Sequence, residues 1–391
     1  MMNYARRSLF GSIAACIISC HFVCAVTVLS AAEKTTVSSS KTDTLVIPEP
    51  KLSHLKTLTD DTGIFEHATY TTPNRKNGYC TEDVARALAA VLMYNRHIKP
   101  GDETAAALAG IYIKYLKRAQ MKNGNFYHRM DFAQHSHGTA TEDSYGRALW
   151  GLGYAAAYPV DSEMGSLARE IFQKALPRAK TLGFTRSMAY AMLGLHYYLE
   201  RFPESDEVRA VMESLADRLV SMYKKNSSGD WPWFEDTLTY DNAKMPHVLF
   251  LAYEDSKNKE FLDTAGKTLD FLIKVSFPKE DMLQIIGNKG WYQKGGRPAL
   301  YDQQPTDAAA MVEACAEAYR VTGLSSYKEK ARLAFEWFLG NNIAGKPIYD
   351  AASGGSRDGL NESGINENEG AESSIAVVNS LITIRTVLDY K

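Results

Sequence analysis

The feature that most limits what this chain can fold into is an alternation between two kinds of helix. Beyond about residue 80 apolar residues recur at helical spacing, segment after segment, and no convincing strand pattern interrupts them. The spacing predicts helices over 82–97, 102–120, 142–157, 162–179, 185–201, 205–225, 241–255, 258–275, 306–322, 325–340 and 371–388, with a shorter one near 51–59. One kind is small and apolar all round, as in "GRALWGLGYAAAY" and "SMAYAMLGLHYYL". The other carries charge on one face, as in "SLAREIFQKALPRAK" and "YKEKARLAFEWFL". A helix that is apolar all round must be covered by others, and one with a charged stripe covers. The buried kind begins near 82, 142, 185, 241, 306 and 371, each time followed by a covering helix or the chain end. Six inner helices alternating with outer ones predict an all-α (α/α)6 toroid, with an open solenoid of helix pairs as the competing layout. Gly146, Gly151 and Gly153 each cost about 1 kcal/mol against Ala inside a helix, so close helix packing is expected where they stand.

In such a toroid the connections entering inner helices open on one face. Here those connections are long: "DTGIFEHATYTTPNRKNGYCTED" (61–83), "NGNFYHRMDFAQHSHGTATED" (123–143), "GDWPWFEDTLTYDN" (229–242), "GNKGWYQKGGRPALYDQQPTD" (287–307) and "YDAASGGSRDGLNESGINENEGAE" (349–372). The third, "TLGFTRS" (181–187), is short and brings no carboxylate. The turns at the other end, such as "FPES" and "GLSS", are brief. Long polar and aromatic loops on one rim are where binding and catalysis concentrate. Carboxylates at helix starts also have an ordinary use, because they complement the helix dipole, and Thr81 and Thr141 are good N-caps. Glu82 is read that way. Capping does not call for the tryptophans and tyrosines of "DWPWFE", "GWYQKGG" and "YDQQP", whereas a sugar site uses aromatic faces together with carboxylates, amides and arginine.

"GYCTEDVARAL", "TEDSYGRALWGLG", "WPWFEDTLTYDNAKMPHVL", "YDQQPTDAAAMVEA" and "NENEGAESS" resemble, as an ordered set over about 50–390, a family of six-hairpin glycosidase-like domains. Those domains occur alone or beside glycosyltransferases in bacterial polysaccharide gene sets. The family pattern carries Asn where Val84 stands and more often Gln where Glu369 stands. The resemblance implies a carbohydrate-active protein. Glycoside hydrolysis takes two carboxyl groups, whose separation selects retention or inversion; inversion is expected here by analogy with other (α/α)6 glycosidases. The catalytic candidates are Asp302, Asp143, Asp83, Asp241 and Glu369, with Asp302 and Asp143 favoured. Asp302 precedes Pro305, whose missing N–H suits a first helical turn, and Asp143 neighbours Arg147, which would lower its pKa. Trp231, Trp233, Trp291, Tyr292, Tyr301, Arg86, Arg147, His247, Gln303 and Asn366 are the expected sugar contacts. A non-catalytic sugar-binding toroid, and a lyase or epimerase on the same architecture, are the alternatives; an epimerase would use histidine as acid and base.

His135 and His137 lie in a loop without cysteine or an HExxH helix, so no metal is expected, and no cofactor motif is present in the sequence. A net charge of −2 gives no electrostatic case for a nucleic-acid partner. Arg6, Arg7, the apolar run 9–29 and Ser30-Ala31-Ala32 read as a signal peptide over 1–32, followed by a polar linker over 33–50 and the toroid over 51–391. A periplasmic or secreted location follows, with no membrane contact in the mature form unless the first segment is kept as an anchor. Cys80 and Cys315 are expected to be free, because helices one and five of a six-helix ring are not neighbours.

Overall fold

A computed structural model of the chain describes residues 46–388. The expected signal peptide and most of the linker lie outside the described residues. Ile47 and Pro50, inside the expected linker, are buried, and Arg385 donates to the carbonyls of Ile47 and Pro48, so the toroid takes in the end of that linker.

Twelve α-helices occur among the described residues. They are α1 (Ser53–Thr57), α2 (Thr81–His97), α3 (Glu103–Ala119), α4 (Glu142–Ala157), α5 (Ser162–Ala175), α6 (Thr185–Arg201), α7 (Asp206–Asn226), α8 (Lys244–Ser256), α9 (Lys259–Ser276), α10 (Pro305–Thr322), α11 (Ser325–Glu336) and α12 (Ala371–Thr386). The even-numbered helices form the inner ring. Each packs on the next, and α12 packs back on α2, so the ring is closed and the open solenoid is excluded. From α3 to α11 each odd-numbered helix lies against the inner helix before it, and the five-residue α1 lies against α12 in the twelfth position.

Three helices start or end away from their expected limits for local reasons. Asp241 has a positive φ of 49°, which an α-helix does not permit, so α8 begins at Lys244 rather than 241. The tails of the predicted 162–179 and 325–340 helices tighten into 3-10 turns at Leu176–Thr181 and Trp337–Leu339. Pairs of strands two or three residues long stiffen the rim loops, such as Tyr79–Cys80 with Arg129–Met130 and Gly359–Asn361 with Gly364–Asn366. Segments that short carry no alternation for a sequence to display.

The glycines account for the tightest seam. A Cβ on Gly153 would lie 2.1 Å from the Gly194 carbonyl oxygen, and one on Gly194 would lie 2.1 Å from that of Leu149. Gly146 meets the Ser187 carbonyl at 2.5 Å in the same way. α4 and α6 therefore touch backbone to backbone, and α4 meets α2 likewise at Gly151 against the Ala85 carbonyl. Cys80 and Cys315 are buried free thiols.

Candidate active site at the rim

The inner helices present their N-terminal ends to the rim, and two adjoining lobes open there. The larger, about 390 Å³, is lined by Glu82, Thr141, Glu142, Asp143, Phe184, Thr185, Arg186, Glu235 and Tyr240. The second, about 330 Å³, is lined by Glu66, His67, Cys80, Glu82, Asp83, Arg86, His128, Gln304, Asp358, Asn366, Gly370, Glu372 and Ser373. Glu82 belongs to both.

Two buried arginines organise the carboxylates. Arg147, on the second turn of α4, lies 3.1 Å from Glu82, 3.4 Å from Asp143 and 3.1 Å from Asp241, with its guanidinium 4.3 Å from the centre of the Tyr190 ring. Arg86, one turn along α2, pairs with Asp83 at 2.8 Å and with Glu372 at 2.6 Å. Removing such a guanidinium from water is costly unless charge surrounds it, and here each has at least two carboxylates.

The same arrangement sorts the protonation states. Burial alone would raise Glu82, but Arg147, the His128 hydrogen bond and Arg86 outweigh it and hold the carboxyl at about 2. At Asp83 burial wins over the pull of Arg86, the negative neighbours Glu372 and Glu66 add to it, and the pKa rises to about 7. Two consecutive carboxyls of one cleft are thus set apart, one permanently ionised and one able to hold a proton at neutral pH. His128 stands 3.5 Å from Glu82, and its Nδ1 is 2.9 Å from the Ser144 hydroxyl, which donates to Glu82 at 3.1 Å. Glu66 holds Arg129 through two hydrogen bonds.

The expected site residues divide into three groups. Asp83, Asp143, Arg86, Arg147 and Asn366 come together at the rim. Asp143 accepts from Tyr240 at 2.5 Å and Ser187 at 2.8 Å and stays partly open to solvent. Asp241 sits beneath them with no exposure. One of its oxygens accepts from Thr306, the other from Tyr190 and Arg147, and its N–H donates to Asp307. It positions Arg147 and offers no free lone-pair face to a substrate. Burial beside that anion pushes the Asp307 carboxyl well above the usual carboxylate range.

The third group lies elsewhere. Asp302, the favoured catalyst, pairs with Lys289 at 3.2 Å and lines neither lobe. Glu369 is buried in the closing seam, 3.7 Å from His54 of α1 and bonded to Ser353. Gln303 is fully buried and accepts from the Trp337 indole, a packing role in place of the expected sugar contact. Trp231 and Trp233 are core residues at 2% and 0% exposure, packed on Phe271, so neither ring has a face to stack on a sugar. Tyr292 lies edge-on to Trp231, and Trp291 stands near Tyr240 with ring centres 6.4 Å apart. Tyr301 is partly buried and lines neither lobe. His247, in the first turn of the short α8, lines neither lobe but a separate cavity with His196, Glu317 and Arg320.

Several lining residues escaped the sequence reading. Glu82 passes for a helix-start residue until Arg147 is seen reaching it from the next inner helix; the repeated Thr-Glu-Asp was the available signal. The short third connection supplies Phe184, 71% exposed on the larger lobe, and Arg186, which holds Glu235 at 2.7 Å.

The sequence matches no family model and no curated protein. Solved structures do match its backbone. A D-mannose isomerase superposes with a TM-score of 0.67 at 13% identity, over 85% of this chain and 93% of that one. Cellobiose 2-epimerase from Bacillus thermoamylovorans gives 0.67 at 10% identity, over 87% and 96%. A family 76 α-mannanase from Bacteroides thetaiotaomicron gives 0.60 at 13% identity, over 86% and 95%. At these identities the likeness is one of fold, and the chain is an (α/α)6 toroid of the six-hairpin type shared by these isomerase, epimerase and mannanase structures.

Proposed function

We propose that the chain is a carbohydrate-active enzyme that cleaves glycosidic bonds at the rim cleft. The observation that carries this reading is the pair Glu82 and Asp83, two carboxyls lining one lobe, each against a buried arginine, with Glu82 held low by Arg147 and Asp83 pushed up by burial. Asp83 donates its proton to the oxygen of the leaving sugar. Glu82, held as an anion by Arg147, supplies the negative charge that a base or stabiliser of an oxocarbenium-like transition state needs. Asp143, Arg186, Glu235 and Tyr240 form the polar wall for sugar hydroxyls, and Phe184 offers an open aromatic face. The motif resemblance to polysaccharide-associated domains and the sugar-active proteins that share the fold support the same substrate class. The test is release of reducing ends from a panel of bacterial and plant glycans. Activity on at least one glycan, lost in Asp83→Asn, is expected; activity on none would remove the hydrolase reading.

A second reading is favoured by one observation. His67 and His128 both line the smaller lobe, and histidine acid–base pairs suit 2-epimerisation or aldose–ketose isomerisation. It predicts deuterium uptake at C2 of a free sugar in heavy water with no bond cleavage. Export rests on residues 1–32 alone, and N-terminal sequencing of secreted protein is expected to begin near Glu33.

A further inference from the structure

A thiol, an imidazole and a carboxylate converge in the smaller lobe. One ligand atom from each of Cys80, Glu82 and His128 lies within 4.8 Å of the other two, and all three residues line the lobe. The backbone fixes this meeting. Cys80 pairs with Arg129 in the antiparallel strands that stiffen the rim, and the Thr81 N–H donates to the His128 carbonyl at 2.9 Å. His128 is thereby set beside the turn that leads from Cys80 into α2, and Glu82 follows in the first turn of that helix. Cys80 is buried, whereas the side chains of His128 and Glu82 are 26% and 16% exposed. The set is closed on the thiol side and open on the lobe side. Neither His135 nor His137, the histidines weighed in the sequence as metal ligands, belongs to it.

We propose that Cys80, Glu82 and His128 form a binding site for a divalent transition-metal ion of the zinc type. Sulfur and imidazole nitrogen select a borderline-soft ion over Mg²⁺ or Ca²⁺, which take oxygen. Three protein ligands with a fourth position facing a cleft make an open site, able to take water or a substrate oxygen. Ligand atoms around a tetrahedral zinc stand about 3.3–3.8 Å apart, so each pair draws in by at most about 1.5 Å. Glu82 has an oxygen to give: Oε2 lies on Arg147 at 3.1 Å, while Oε1 lies 3.5 Å from His128 Nδ1. The Ser144 hydroxyl, 2.9 Å from His128 Nδ1 and 3.1 Å from Glu82 Oε1, touches both ligands and orients them from outside. Glu66 and Asp83 bring further carboxylate within the same 4.8 Å of Cys80 and offset the charge of an ion placed near Arg86 and Arg147. Binding forms the sulfur–metal bond and releases the Cys80 thiol proton to solvent. The inference goes beyond the hydrolysis assigned to the cleft and does not rest on it. The two uses of Glu82 exclude each other, so glycan cleavage is read on the metal-free chain.

The experiment takes the full chain, freed of metal with a chelator, and titrates it with Co²⁺ and, by equilibrium dialysis, with Zn²⁺. One equivalent of either ion per chain is expected, and Co²⁺ is expected to show a thiolate-to-metal charge-transfer band in the near ultraviolet. Cys80→Ser is expected to abolish that band, and Cys80→Ser and His128→Gln are each expected to weaken Co²⁺ binding at least about tenfold. Cys315→Ser and His135→Gln are expected to change neither. Should Cys80→Ser fail to fold, His128→Gln carries the test, since that side chain lies part-exposed on the lobe. Binding without the band, no stoichiometric binding, or unchanged affinity in His128→Gln would overturn the proposal. Absence of glycan cleavage in the metal-free chain would remove the hydrolase reading and leave this one standing.

Discussion

Thr81-Glu82-Asp83 and Thr141-Glu142-Asp143 open neighbouring inner helices with the same three residues, yet the two turns do different work. Thr141 is a true N-cap, its hydroxyl accepting from the Ser144 N–H at 3.0 Å. Thr81 is buried inside the first turn and donates across to the Tyr127 carbonyl at 2.6 Å. Glu142 accepts from the backbone of Gly183 and Phe184, tying down the entry to α6, whereas Glu82 meets the guanidinium of Arg147 at the middle of the cleft. The Asp83 side chain is 4% exposed and that of Asp143 is 25%. What separates them is their surroundings: Glu82 and Asp83 face Arg147 and Arg86 with little exposure, whereas Glu142 is held by backbone N–H groups and the more open Asp143 by the Tyr240 and Ser187 hydroxyls as well as by Arg147.

The comparison breaks first on rate. Glu82→Gln and Asp83→Asn are each expected to lower turnover by at least about a hundredfold with the fold retained, because general acid–base groups contribute 10²–10⁴-fold. Asp143→Asn keeps both members of that pair and is expected to cost about tenfold or less, mainly in KM, as a lost binding contact does. Equal losses in Asp143→Asn and Asp83→Asn would erase the distinction. A pH profile sharpens it. Asp83 must be protonated to act as an acid, so kcat/KM is expected to fall as pH rises through about 7. Glu82, held at about 2, adds no acidic limb in the neutral range. Glu142→Gln should leave that falling limb in place.

The smallest effect concerns the threonines. Thr141→Ala removes a cap and is expected to lower stability by about 1 kcal/mol. Thr81→Ala leaves the part-buried Tyr127 carbonyl short of a donor, and about 1–3 kcal/mol is expected. Thermal unfolding of the two variants checks the order.

Much of this architecture was legible in the chain. Six helices apolar all round can only be an inner layer, and the expected starts at 142, 185 and 371 coincide with those of α4, α6 and α12. The glycines that signalled close packing sit where backbones meet. The rim was legible from loop length. Which rim residues face the cleft was not, because that depends on contacts between helices sixty residues apart in sequence, such as Arg147 on Glu82. Tryptophan content misled for a related reason: a loop that folds back on its own outer helix buries its aromatics, as Trp231 and Trp233 do on Phe271 of α9. The fully buried Asp241 shows the converse, a carboxylate at the right end of a helix whose lone pairs are all used inside the protein.

Backbone-to-backbone contact between α4 and α6 has a bearing on how the cleft can move. No side chain separates the two helices at Gly153 and Gly194, so none can change rotamer to let them slide. Arg147 and Asp143 ride on one of these helices, Arg186 and Ser187 on the other, and together they behave as a single rigid wall. Any breathing of the cleft is therefore expected on the facing side, where loops 58–80 and 340–370 meet at the α1–α12 closure, and deuterium should enter those amides long before it reaches the glycine seam.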